Sequence, residues 1–140
     1  MEEQELKLVM FGRPYTKQND QIIADYWHKG KKRKRIINGK NFQRYELDCK
    51  KQITGKYQKS LSGRYNLKAV YYMPTKHIVD LVGLLQGTCD ILTNAGVIKD
   101  DNSRVISRLD GSEVKLDREN PRVEITLTRL KEQDLWQGKK

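Results

Sequence analysis

The segment DLVGLLQGTCDILTNAG, residues 80–96, constrains the fold more than any other stretch of this chain. Leu81, Leu84, Leu85, Thr88, Leu92 and Ala95 recur at helical spacing and so line one face of an amphipathic helix. Asp80 stands at the expected N-cap, where a short carboxylate accepts from unpaired backbone N–H groups; Gly96 stands just past the end, where positive φ is needed. The opposite stripe, Asp80, Gly83, Gly87, Asp90 and Asn94, is small and acidic. Glycines four apart either let another backbone approach closely or are merely tolerated in the helix, at about 1 kcal/mol each against alanine.

The flanking segments read as strands and one further helix. LKLVMFG (6–12) is a strand running into the turn GRPYTKQN. NFQRYELDCKKQITGKYQKSL (41–61) has helical spacing, with Asn41 as its cap and Phe42, Tyr45, Leu47, Cys49 and Ile53 as core contacts. YNLKAVYYMP (65–74) is a strand stopped by proline, and RVISRLDGSEVKL (104–116) gives two short strands around Asp110–Gly111. PRVEITLTRL (121–130) alternates as a closing strand. At 140 residues the chain has the length of about one domain. The expectation is an α+β fold, a small mixed or antiparallel sheet with two main helices, over residues 1–130, followed by a weakly docked tail, 131–140.

Charge narrows the partner. With 28 Lys+Arg against 18 Asp+Glu, a net +10 and a pI near 9.6, the chain suits a polyanion. Nucleic acid comes first; an acidic membrane surface or RNA rests on charge alone. The densest basic run, WHKGKKRKRIINGKNF (27–42), sets Lys29, Lys31, Lys32, Arg33, Lys34 and Arg35 beside Tyr26 and Trp27. It reads as a basic arm or hairpin turning at Asn38–Gly39. Its phosphate contacts would be strongly salt-dependent. Tyr26 and Trp27 are either core residues or stacking platforms for an unpaired base.

No apolar run approaches the ~20 residues of a membrane span. Residues 1–12 are acidic and lack the basic-then-apolar order of a signal peptide, so the expected location is cytoplasmic. Cys49 and Cys89 are too few for a disulfide framework or zinc site, and His28 and His77 too few for a histidine-rich centre. Any metal would be held by oxygen, which selects Mg²⁺ or Mn²⁺.

GVIKDDNSRV (96–105) places Asp100 and Asp101 side by side. Short polar residues of this kind make good turns, and the same carboxylates suit a divalent cation beside a phosphate. Asp80 and Asp90 are separated by about 15 Å of helical rise and cannot share one ion directly. Asp80 and the Asp100–Asp101 turn meet only if the chain folds back after Gly96. On residue chemistry alone, this is a basic nucleic-acid binder whose acids serve either caps and turns or a metal.

The order of these features resembles the RusA family of Holliday-junction resolvases. Met73–Pro74 matches the family's strand end, Asp80 its first motif aspartate, Asp90 and Leu92 its mid-helix pair, and TNAGVIKDD its approach to the paired acids. PRVEITLT is similar to the final strand and RPYTKQN, loosely, to the N-terminal loop. The resemblance covers most of residues 6–130 and is specific over 70–105. It implies a small homodimeric, metal-dependent endonuclease acting on branched DNA in phage or prophage recombination and repair. It also implies that Asp80 and Asp101 hold the metal and are the catalytic acids, and that Arg13, Lys17 and Lys76 lie near them as phosphate contacts. The chain departs from the pattern at Val82, Gly83 and Gln86, where the family carries aspartate, asparagine and lysine. Asp100 is then the nearest substitute ligand, with Asp90 and Glu124 behind it. The alternative these departures raise is a catalytically impaired, DNA-binding relative.

Overall fold

The computed structural model describes residues 4–17, 22–37 and 39–131; the expected tail beyond residue 131 and Asn38 lie outside them. Its α+β architecture is a mixed sheet with two helices on one face and a separate two-stranded hairpin. Sheet order is β1 (Glu5–Phe11), β7 (Arg122–Arg129), β4 (Tyr65–Met73) and then β5 (Ile106–Arg108), with β6 (Glu113–Leu116) also on β4. The pairs β1–β7 and β7–β4 are antiparallel; β5 and β6 both run parallel to β4.

Alternation explains which side is covered. Leu6, Leu8 and Met10 of β1, Tyr65, Leu67, Ala69, Tyr71 and Met73 of β4, and Val123, Ile125 and Leu127 of β7 all point inward and are buried. Onto them pack α1 (Lys40–Gln52) through Phe42, Tyr45 and Cys49, and α2 (Leu81–Asn94) through Leu84, Leu85, Thr88, Ile91 and Leu92. The buried Tyr71 hydroxyl meets the Thr88 hydroxyl at 2.6 Å, fixing α2 on the central strand.

Several local expectations are corrected. Leu47 is 55% exposed because the buried residues of α1 define a face that it does not share. Gly39, not Asn41, caps α1, and without a side-chain bond. Leu81 and Ala95 are half-buried at the edge of the core, while Ile91, outside the expected face, is fully buried. The glycine stripe faces inward: a Cβ on Gly87 would lie 2.9 Å from the Phe42 ring, and one on Gly83 3.3 Å from Thr16 Cγ2. The close neighbours of the stripe are thus α1 and the N-terminal loop of the same chain.

The connection from β4 through α2 to β5 is a parallel crossover, which needs a helix-length link. Met73 marks the head of β4 and Tyr65 its foot. The pairings Tyr65↔Ile106 and Leu61↔Ile98 return the chain to the foot after α2. Asp110–Gly111 does not reverse the chain: Gly111 adopts φ +86°, and Ser112 bridges the break by accepting from Ala69 N at 3.1 Å. Strand β6 then climbs to the head, where Asp117 N donates to the Met73 carbonyl at 2.9 Å. No helix among the described residues is long and apolar enough to cross a membrane.

Candidate nucleic-acid interface and acidic cluster

The basic run forms the hairpin of β2 (Ile22–His28) and β3 (Lys31–Ile37), which pair with each other and with no strand of the main sheet. Its turn is Lys29–Gly30, with φ of +52° and +75°, not Asn38–Gly39. Positive φ at both central residues is the two-residue geometry that matches strand twist. Gly39 instead begins α1. Every side chain from Asp25 to Arg35 is exposed, Trp27 at 71%, so neither Tyr26 nor Trp27 is a core residue. The six cations Lys29, Lys31, Lys32, Arg33, Lys34 and Arg35 thus stand on a projecting ribbon.

The loop after β1 leaves the head of the sheet, where Gly12 N donates to the Pro121 carbonyl at 2.9 Å. Arg13 is exposed over the Tyr15 ring, Thr16 is buried against α2, and the Lys17 ammonium is paired with Asp90. Lys17 is therefore engaged with an acid rather than freely presented to phosphate. A cleft of about 200 Å³ opens between this loop and the segment after β4, lined by Arg13, Tyr15, Asn41, Thr75 and His77. Lys76 is exposed beside it.

The aspartates separate along α2. Asp80 caps its own helix, its carboxylate accepting from Val82 N at 3.2 Å near the head of β4. Asp90 lies ten residues further on, about 15 Å of rise. The Asp100–Asp101 turn sits by the foot: Lys99 N donates to the Leu61 carbonyl at 2.9 Å, and Arg64 donates to the Ser103 carbonyl at 2.7 Å. Asp100 is turned onto its own loop, accepting from Asp101 N at 2.7 Å and from the Asn102 amide at 3.1 Å.

Partial burial, first, and then Asp100 and Asp90 push the Asp101 carboxyl above the ordinary carboxylate range. The structure thus gathers Asp90, Asp100 and Asp101 into one electrostatic neighbourhood and leaves Asp80 at the other end of the helix. Among the described residues, no three His, Cys, Asp or Glu side chains are grouped so as to hold a metal. Val82 and Gln86, where the resemblance implies an acid and a lysine, are both exposed.

One charged group had no clear signal in sequence. Arg122 bonds Asp117 and Glu124, each at 2.9 Å, and its guanidinium lies 3.9 Å over the Tyr72 ring. Arg122 in turn holds the Asp117 carboxyl below its ordinary range. Glu124 is therefore tied into the head of the sheet, not into the Asp101 cluster. Only the alternation of β7 hinted at it, by placing Arg122 and Glu124 on one face.

Burial pushes the Cys49 and Cys89 thiols up to about 12, so both stay protonated at neutral pH. The donors available to a cation are hard carboxylate oxygens. Asp101 with Asp100 fits an ion that takes one or two carboxylates and completes its shell with water and phosphate; a three-carboxylate set that includes Asp80 does not form around Asp101. No protein-family model and no curated protein matches this chain.

Proposed function

We propose that this protein is a metal-dependent endonuclease acting on branched DNA, of the junction-resolvase kind, as its resemblance to the RusA family implies. The observation that carries the reading is the Asp101 neighbourhood. In a protein of net charge +10, partial burial and then the neighbouring Asp100 and Asp90 raise the proton affinity of Asp101. Like charges kept together in this way are relieved by a cation, and perturbed carboxyls concentrate at functional sites. Asp101 and Asp100 would hold Mg²⁺ or Mn²⁺. Such an ion polarises a phosphoryl oxygen and lowers the pKa of a bound water. Lys17 neutralises Asp90, which leaves Asp101 the less compensated acid, and the hairpin cations bring the phosphodiester backbone to the protein.

A labelled four-way junction and the matching linear duplex, incubated with protein in Mg²⁺, Mn²⁺ or EDTA, test this directly. The expected result is metal-dependent, symmetric nicking of the junction alone, with Asp101→Asn losing about 10²–10³ in rate, the scale of one lost electrostatic group. Asp80→Asn separates the two duties of Asp80: retained cleavage assigns it to capping, and lost cleavage with retained binding assigns it to chemistry.

A second reading, junction binding without cleavage, is favoured by Val82. It is 73% exposed at the position where the resemblance implies a metal ligand. Tight junction binding with no nicks in either metal supports that reading and overturns the first.

A further inference from the structure

The β2–β3 hairpin has two chemically different faces. Residues paired across a ladder, and alternate residues along a strand, share a side. The register Tyr26↔Arg33 and His28↔Lys31 therefore sets Tyr26, His28, Lys31, Arg33 and Arg35 on one face. The register Trp27↔Lys32 and Asp25↔Lys34 sets those four residues on the other. Side-chain contacts follow the same division: the Arg35 guanidinium lies 5.4 Å over the Tyr26 ring, and Lys32 pairs with Asp25 at 3.3 Å. Among the described residues, the Tyr26 face thus carries three cations without an acid opposite (Lys31, Arg33, Arg35), whereas on the Trp27 face Asp25 offsets one of two lysines.

We infer that the Tyr26 face of this ribbon binds the phosphate backbone of a DNA duplex, and that the Trp27 face is turned away from it. The inference deepens the proposed function, on which it rests for DNA as the partner. The major groove of B-DNA admits a two-stranded β-ribbon. Guanidinium groups match phosphate oxygens in a bidentate fork that ammonium groups lack, and both arginines of the ribbon are on this face. Tyr26 keeps the Arg35 guanidinium over its ring, 5.4 Å from the centroid, which restricts one fork before binding. The side chains from Asp25 to Arg35 are spent on no core, so their charge is available to a partner.

Two variants that remove equal charge separate the faces: Arg33→Gln/Arg35→Gln and Lys32→Gln/Lys34→Gln. Binding of each to a labelled linear duplex is measured by fluorescence anisotropy across a salt series, with circular dichroism to verify folding. The arginine pair is expected to lower the slope of log K against log salt by about 1.8, the loss of two phosphate contacts, and the lysine pair by less than about 0.5. Equal losses from the two variants overturn the face assignment, and no loss from either overturns the hairpin's role in binding. An RNA duplex and anionic phospholipid vesicles are measured in parallel, and tighter binding to either than to the DNA duplex overturns the partner. Wild-type junction cleavage, read separately, keeps the two proposals distinct. Its absence alongside face-dependent duplex binding sinks the nuclease reading alone.

Discussion

Asp101 is held in a place that disfavours its charge. Its folded-state carboxyl binds a proton more readily than the same group in an unfolded chain, because of partial burial and the nearby Asp100 and Asp90. Between the unfolded value near 3.8 and the raised folded value, the native state binds more protons. Stability from this group is therefore complete below the unfolded value and is lost as pH rises through the folded one. Asp101→Asn fixes the side chain in a neutral form. The variant should melt above wild type at pH 7, and the gap should close by about pH 3, as thermal unfolding followed across pH would show. A gap that persists at low pH would assign the effect to packing instead. Gly87 is the opposite kind of residue, one whose small size the core requires. Gly87→Ala gains about 1 kcal/mol in helix propensity but forces the buried Phe42 ring to shift, an overpacking cost of about 1–3 kcal/mol. The expected result is a net loss of about 1 kcal/mol in urea unfolding. A gain would mean that the ring yields freely.

At the scale of elements, α2 was the most legible part of the chain, and also the part whose role was easiest to misassign. Its start and end were readable because cap chemistry is local: Asp80 accepts from Val82 N, and Gly96 takes φ +83°. Which side of its glycine stripe meets a neighbour was not readable, because Thr16 and Phe42 come from distant segments. Capping makes its own prediction. Asp80→Ala should destabilise the fold by about 1 kcal/mol, while Asp80→Asn, itself a good N-cap, should cost little. Equal losses in chemical denaturation would show that the charge of Asp80, not its cap bond, supports the helix. The hairpin repeats the lesson. Charge density and a turn signal at Asn38–Gly39 marked it, but the turn fell at Lys29–Gly30, where the pairing of β2 with β3 closes.

At the scale of the whole molecule, the crossover from β4 to β5 decides where chemistry can gather. It carries α2 from head to foot, so Asp80 and the Asp100–Asp101 turn end up toward opposite ends of the helix. Under the proposed function the active unit is a homodimer, since a four-way junction offers two equivalent strands to two equivalent sites. Sedimentation at micromolar concentration is expected to give about twice the 16.4 kDa chain mass. Monomer both with and without junction DNA would remove paired cleavage from the mechanism.

By itself the sequence determined what depends on near neighbours along the chain. The α+β class, the strands at residues 6–12, 65–74 and 121–130, the caps of α2 and the basic ribbon all follow from periodicity, turn chemistry and charge density. Tertiary structure alone decided which distant residues meet. It drew Lys17 onto Asp90, buried the glycine stripe and set Asp101 beside Asp90 rather than beside Asp80. Those contacts join residues from about ten to more than seventy positions apart. Their geometry is set by sheet register and helix packing, which no local pattern encodes.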